Sequence, residues 1–285
     1  MLALDHWPAE ARHNIVGLFT DIDDTLTTDG AITPDALAAL HELRTAGLTV
    51  IAITGRPAGW SEPFAFGDAE RGIAPWPVHA IVAENGAVAF FSGKKSLYRS
   101  PSGRFKLSKL YQQDAATRAA NALRLTACAA RIQRELPGAQ LARDSAGRET
   151  DIAIDHSEFT LLPPEQIKQV VAIMRAEGMN ASVSSIHING WFGAHDKLSG
   201  ARWIMRELLG RDLDAEIDRW AFVGDSTNDQ AMFRAFTHGI GVANIRRFEA
   251  ELTDPPRYVT EGERGAGFAQ VAHMICKARR CPATP

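Results

Sequence analysis

Cysteine is scarce in this chain: three in 285 residues, Cys128, Cys276 and Cys281, with neither an even count nor a CxxC spacing. That argues against a disulfide framework and a thiolate zinc site. Cys276 and Cys281 lie near enough in sequence to pair, but reduced thiols are the expectation. An excess of one charge is also missing. The 31 Lys and Arg face 34 Asp and Glu, for a formal net charge of −3, so there is no electrostatic case for nucleic acid. A small anionic ligand stays open, because a few residues set a local field. No apolar run approaches the ~20 residues of a membrane span. Met1-Leu2-Ala3-Leu4-Asp5-His6-Trp7-Pro8 has no basic flank or long apolar core, so it does not read as a leader. These absences lead us to expect a cytoplasmic protein without nucleic-acid or membrane partners. No internal repeat or low-complexity segment appears. No expectation about oligomeric state follows.

What is present is an ordinary globular composition, 45% hydrophobic and 23% charged, long enough for one large domain or two average ones. The first part alternates strand and helix. Ile15–Asp21 is a short apolar strand. Thr33-Pro34 opens a helix, with Thr33 as N-cap and Pro34 at the first position. Its apolar face is Ala36, Leu37, Leu40 and Leu43, and Gly47 ends it. Leu48–Thr54 and His79–Ala83 are further buried-strand runs, closing at Gly55-Arg56-Pro57 and Glu84-Asn85-Gly86. Continuous apolar strands joined by helices indicate a parallel sheet covered on both faces.

The middle of the chain reads differently. Val88–Phe91, Ser92-Gly93 and Leu97-Tyr98 suggest a hairpin region. Asp114–Leu136 is a long alanine-rich helix stopped by Pro137-Gly138. Thr150–Ile154 alternates as a strand, Pro163-Pro164-Glu165 opens a helix that runs to Gly178, and Ala181–Ile188 is another alternating strand. The last part resumes the first pattern, with helices over Leu198–Leu209, Gln230–Phe236 and Gly267–Cys276 and strands over Trp220–Val223 and Gly239–Val242. The expected fold class is α/β: a doubly wound, mostly parallel sheet built from residues 1–89 and 194–285, with an α+β cap domain inserted over residues 90–193.

The first strand ends abruptly in carboxylates, Thr20-Asp21-Ile22-Asp23-Asp24-Thr25. Buried carboxylates repel each other unless a cation or a proton lies between them, so the segment reads as a site. In an open parallel sheet, ligands sit beyond the carboxyl ends of the strands. Other such ends carry Thr54, in Ala52-Ile53-Thr54-Gly55-Arg56, and Asp225, in Gly224-Asp225-Ser226-Thr227-Asn228-Asp229. Lys197 stands at a helix start, in Ala194-His195-Asp196-Lys197. A cation is poorly placed there, because the helix dipole disfavours it.

This ordered set resembles the haloacid dehalogenase-like superfamily of phosphohydrolases. Asp21, Asp23 and Thr25 match its DxDxT turn, Thr54 its strand-end Thr or Ser, and Lys197 its lysine. Gly224, Asp225, Asn228 and Asp229 match its GDxxND loop. The insertion after the third strand is similar to the cap of the IIB class, which includes the Cof-type, sucrose-phosphate and mannosyl-phosphoglycerate phosphatases. The resemblance implies a Mg²⁺-dependent hydrolysis of a small phosphorylated metabolite, a sugar phosphate. Asp21 would be the nucleophile and form an aspartyl-phosphate. Asp23 would protonate the leaving oxygen and then activate water. Thr54 would bond the transferring phosphoryl group, and Lys197 would pair with Asp21 and the phosphoryl oxygens. Mg²⁺ would be held by Asp21, Asp225 and the main-chain carbonyl of Asp23, with Asn228 and Asp229 orienting its waters.

Substrate contacts are expected from Gly55, Arg56, Asn85, His187 and Asn189. Arg56 either meets substrate at the cap or forms a surface ion pair. Glu84-Asn85-Gly86 is read as the turn into the cap. His187 and Asn189, two apart on a strand, share a face. Their bland reading is as half-buried structural polar groups; Arg148, Glu149 and Asp151 are weaker cap candidates. Asp24 departs from the family pattern, which often has Gly there. The expectation is a turn with negative φ and a carboxylate that packs outward or caps the next turn. Two rival functions remain. A phosphomutase resembling phosphomannomutases needs a basic cluster in the cap, and Arg131, Arg134, Arg143 and Arg148 are scattered in sequence. A non-enzymatic phospho-acceptor module would be far shorter and place its phosphorylated Asp on a later strand, and against a ligand-binding pseudoenzyme stands the full set of catalytic positions.

Overall fold

Side chains on the strand that leads to the carboxylates alternate between two cores. Leu18 packs with Leu40, Leu43, Phe268 and Val271, and Phe19 with Ile204, Met205, Trp220 and Phe222. A strand apolar on both faces needs helices on both faces, and that is the architecture seen. The computed structural model describes residues 1–91 and 108–280. The strands are β1 (Leu2–Ala3), β2 (Gly17–Thr20), β3 (Thr27–Thr28), β4 (Ala31–Ile32), β5 (Thr49–Ile53), β6 (Ala80–Ala83), β7 (Val88–Phe91), β8 (Ser108–Tyr111), β9 (Gln140–Leu141), β10 (Asp151–Asp155), β11 (Asn180–Val183), β12 (His187–Trp191), β13 (Trp220–Gly224), β14 (His238–Gly241) and β15 (Tyr258–Val259). The helices are α1 (Ala9–Asn14), α2 (Pro34–Thr45), α3 (Ala58–Phe66), α4 (Ala115–Glu135), α5 (Pro164–Ala176), α6 (Lys197–Leu209), α7 (Gln230–Ala235) and α8 (Arg264–Arg280).

Nine strands form the main sheet in the order β1-β15-β14-β13-β2-β5-β6-β7-β8. All neighbours are parallel as far as β6; β7 and β8 are antiparallel additions. The mostly parallel, doubly wound α/β core expected from the sequence is what forms. The chain leaves β2 for β5 on one side, and β13 arrives on the other. Ligand sites sit beside such a switch point. Register aligns the exits, with Thr20 opposite both Ala52 and Val223.

A second, four-stranded antiparallel sheet, β11-β12-β10-β9, carries α4 and α5 on one face. Leu125, Cys128, Ile132, Val170 and Met174 pack there on Ile154 and Ile188. The alternate residues of the central strands are polar: Asp151 and Asp155 on β10, His187 and Asn189 on β12, all buried. In a period-2 strand they share the opposite face, which meets the main sheet.

Several sequence expectations change. The hairpin region expected from Val88 onward extends the core: β7 and β8 are hydrogen-bonded into the main sheet. We therefore propose that the insertion begins after Tyr111 and not at residue 90. Glu84-Asn85-Gly86 correspondingly turns β6 into β7 within the core and does not lead into the cap. Ala181–Ile188 is not one strand but most of a hairpin, β11 and β12. Its turn is closed by the Ser184 amide donating to the His187 carbonyl at 2.9 Å and by the Ser184 hydroxyl. Thr33 stands at the N-cap of α2, but its side chain makes no capping bond. Asp114 does cap α4, accepting from the Thr117 amide at 2.9 Å. Helix α3 and the β3–β4 hairpin were not read from the sequence. Ser92-Gly93, Leu97-Tyr98 and Cys281 lie outside the described residues. Cys128 and Cys276 are free thiols, and among the described residues no helix is long and apolar enough to cross a membrane.

Packing leaves no slack where β2 meets β13. A Cβ on Gly17 would lie 2.5 Å from a Trp220 ring carbon and 2.6 Å from the Thr49 carbonyl oxygen. Gly17→Ala should therefore lower stability by about 1–3 kcal/mol through overpacking. Urea unfolding measures this, and an unchanged midpoint would contradict the packing account.

Candidate active site

Four chain segments deliver their polar residues to one place because β13, β2 and β5 are adjacent and end together. Asp21 follows β2, and its amide donates to the Val223 carbonyl at 2.9 Å. Thr54 follows β5 and Asp225 follows β13. Lys197 opens α6, which is capped by Asp196 and Ser199. The Lys197 side chain is 2% exposed, and its Nζ lies 2.9 Å from Asp21 Oδ1 and 2.8 Å from Asp229 Oδ1. Two carboxylates thus offset the helix terminus that made a lysine here look misplaced.

Carboxylate oxygens of Asp21, Asp225 and Asp229 all lie within 4.8 Å of one another. Asp229 is spent structurally: its second oxygen accepts the amides of Asp225 at 3.0 Å and Ser226 at 3.4 Å. Thr25 Oγ1 donates to Asp225 at 3.5 Å, and Asn244 Nδ2 donates to Asp225 at 3.2 Å and to the Asp24 carbonyl at 2.9 Å. Burial, and then Asp229 and Asp23 against the opposing pull of Lys197, push the Asp21 carboxyl up to about 7. Burial and the neighbouring carboxylates push Asp225 well above the ordinary range. One ammonium among three buried carboxylates leaves a formal charge of −2. That donor set, all hard oxygens with a charge deficit of two, fits a divalent cation such as Mg²⁺.

The Asp23 carboxylate is not in this cluster. It is turned to Arg56, whose Nε lies 3.0 Å from both of its oxygens. Arg56 is buried and also reaches Asp144 at 3.2 Å and Glu158 at 2.9 Å, so it is not a surface ion pair. His187 Nε2 is 2.9 Å from Glu158, and Asn189 Nδ2 donates to Asp151 at 3.1 Å and to the Gly55 carbonyl at 3.3 Å. A void of about 10 Å³ is lined by Asp21, Asp23, Thr54, Gly55, Arg56, Ser184, Ser185, Ile186, His187, Asn189 and Asn228. The Asn85 side chain stands beside Gly55, where a Cβ would meet its Oδ1 at 3.2 Å. Asn85 Nδ2 is buried without a hydrogen-bond partner. The Asn228 Oδ1 accepts from the Ser226 hydroxyl at 2.9 Å. A wider cleft of about 570 Å³ extends over Asp23, Asp24, Asp29, Arg56, Glu158, Phe159, Arg247 and Arg264.

Asp24 overturns its expectation. Its φ is +53°, in the region glycine favours and Asp tolerates better than most residues. Its carboxylate lies 3.1 Å from Arg264 Nε. Sequence reading missed Asn244, Glu158 and Asp144, which carry no motif of their own. It also missed Glu84, whose carboxylate accepts the amides of Ala58 at 2.8 Å, Glu149 at 2.9 Å and Thr150 at 2.6 Å.

Residues 18–121 match the model of a family described as haloacid dehalogenase-like hydrolase. No curated protein matches the chain. Among solved structures, a Thermoplasma acidophilum protein superposes with a TM-score of 0.62 at 17% identity, covering 92% of this chain and 99% of its own. A sucrose-phosphatase from Synechocystis, solved with sucrose and phosphate, gives 0.59 at 14% identity over 91% of this chain and 97% of its own. A haloacid dehalogenase-like hydrolase from Bacteroides thetaiotaomicron gives 0.58 at 15% identity over 92% and 99%. At these identities the likeness establishes the fold, cap included.

The raised Asp21 carboxyl has a consequence for stability. In metal-free protein the folded state takes up a proton near pH 7 that the unfolded chain binds only near its ordinary value. Asp21 therefore favours the folded state at low pH, and this contribution is lost as pH rises through about 7. In EDTA, Asp21→Asn should flatten the fall in stability between about pH 4 and 7, measured by urea unfolding. An unchanged slope would contradict the assignment.

Proposed function

Starting from a fold and an N-terminal family match that are haloacid dehalogenase-like, we propose that the protein is a Mg²⁺-dependent phosphatase. Its substrate is a small phosphorylated metabolite, a sugar phosphate. The observation that carries this reading is Lys197 held between Asp21 and Asp229, 2.9 and 2.8 Å away, beside a third carboxylate from Asp225. A buried charge cluster of this kind needs a cation partner, and a phosphate monoester approaching an anionic nucleophile needs the same.

Asp21 attacks phosphorus, the bond to the leaving oxygen breaks, and an aspartyl-phosphate forms on Asp21. Asp23 gives its proton to the leaving oxygen. It then takes a proton from the water that attacks the intermediate, which regenerates Asp21 and releases phosphate. The Thr54 hydroxyl accepts the Arg56 amide at 3.0 Å, leaving its O–H free to donate to a phosphoryl oxygen. Lys197 offsets charge on Asp21 and on the phosphoryl group. Asp21, Asp225 and the Asp23 carbonyl would hold Mg²⁺, which supplies charge compensation for the phosphoryl oxygens. Asp229 and Asn228 orient the groups around it. Gly55, Arg56, Asn85, His187 and Asn189 form the substrate side. The sugar-phosphate assignment is supported by the sucrose-phosphatase among the structural relatives. A mutase would need cap arginines free to hold a second phosphate. Arg131 is instead bound to Glu135 and Glu177, Arg143 stacks on Phe159, and Arg148 is buried among Asp144 and Asp151.

Phosphate release across a panel of sugar phosphates, nucleotides and phosphorylated vitamins tests the reading. One dominant sugar phosphate is expected, and no release from any of them would defeat it. Asp21→Asn should lower kcat by about 10³-fold or more; near-normal release would remove Asp21 as nucleophile. Mg²⁺ should restore activity abolished by EDTA and raise the melting temperature of the parent but not of Asp225→Asn. Activity indifferent to EDTA would remove the metal.

A further inference from the structure

The void at Asp21 and Thr54 measures about 10 Å³, room for about one water. A phosphate monoester does not fit it, so on the phosphatase reading substrate enters only when the cap parts from the core. The contacts that break and re-form are therefore part of the reaction cycle. They concentrate in seven consecutive cap residues, Asp144–Thr150.

Asp144 lies between two arginines from opposite sides of the joint. Core Arg56 Nη1 reaches Asp144 Oδ2 at 3.2 Å, and cap Arg148 Nη2 reaches Asp144 Oδ1 at 3.2 Å. Arg148, its side chain 2% exposed, also donates to the core carbonyl of Gly55 at 3.0 Å. Three residues on, Gly147 lies backbone to backbone against Gly59 of α3, where an added Cβ would sit 2.9 Å from the Gly147 Cα. Glu149 and Thr150 then donate their amides to the buried core carboxylate of Glu84, which also holds the first residue of α3 through the Ala58 amide. The core partners are Gly55, Arg56, Gly59 and Glu84. Three of the four follow Thr54 within five residues.

We propose that Asp144 is a positioning residue that couples seating of the cap to the catalytic loop. The seated cap brings Asp144 to Arg56, and Arg56, so fixed, holds the Asp23 carboxylate through its Nε. The guanidinium is planar and forked, so fixing one nitrogen orients the others. With the cap lifted, Arg56 loses both cap carboxylates, Asp144 and Glu158, and keeps only Asp23. The Arg56–Asp23 pair is thus anchored by the cap only over a closed site, where water is excluded.

Asp144→Asn and Asp144→Ala in the full chain test this. Hydrogen exchange in a peptide covering residues 54–60 should rise by about threefold or more in both variants, with exchange in β13 unchanged. Unchanged exchange in 54–60, or an equal rise in β13, would overturn the proposal, the second by showing a global loss of stability. The kinetic arm rests on the phosphatase reading and uses p-nitrophenyl phosphate with Mg²⁺. Asp144→Ala should lower kcat by about tenfold with little change in KM. Adding it to Arg56→Ala should cost little further in kcat, because Asp144 acts on Asp23 through Arg56. Gly59→Ala, which removes no charge but wedges the joint, should reproduce the loss in kcat. Additive losses, or normal kcat in Asp144→Ala, would overturn the coupling. If the parent releases no phosphate, the phosphatase reading falls, and the exchange measurement still decides the clamp.

Discussion

One buried ammonium makes the rest of the site possible. Asp21, Asp225 and Asp229 are brought within 4.8 Å of one another out of water, where like charges interact strongly and each lone charge is costly. Lys197 lies between two of them. Removing it would leave the cluster without the one cation that pairs with it among the described residues. The remaining deficit is what would draw a divalent cation to the site. Structure and chemistry thus depend on the same shortage of positive charge.

This constraint also explains the order of the chain. Lys197 follows the cap, and Asp225 and Asp229 lie beyond α6, yet all three meet Asp21 near the N-terminus. A parallel sheet whose chain departs from β2 in two directions allows this, because β5 and β13 flank the same strand. The cap is an insertion whose exit delivers α6, so the lysine sits at the boundary between the two parts. Closing the cap places a polar face, Asp151, Asp155, His187 and Asn189, over the strand ends. Arg148 from the cap meets Asp151, and Glu158, which faces His187, is met by Arg56 from the core.

Much of this was legible in the sequence. Apolar runs ending in polar residues marked β2, β5, β6 and β13 to within one or two residues. The four motifs identified which ends would share a site, because only a common task accounts for Asp21, Thr54, Lys197 and Asp225 in that order. Other elements were not legible. Ala181–Ile188 alternates like one strand, and only the bonds of Ser184 divide it. The stretch from residue 90 looks like cap, because nothing local distinguishes an antiparallel edge addition from an inserted hairpin. Asp24 seemed free to keep a negative φ. Its backbone is set by the turn that must carry both Asp21 and Asp23, and Asn244 holds its carbonyl from 220 residues away.

By itself, the sequence determined the residue types of the chemistry and the strand ends that carry them. Strand periodicity is local, and a charged residue after an apolar run has few explanations. Only the tertiary structure decided how those groups are partnered. Asp229 rather than Asp23 joins the carboxylate cluster, Arg56 serves three carboxylates, and Asp144 stands between two arginines. Those pairings depend on distances between segments far apart in the chain. Such distances are set by sheet register and by how the cap is seated, and neither is written in any local pattern.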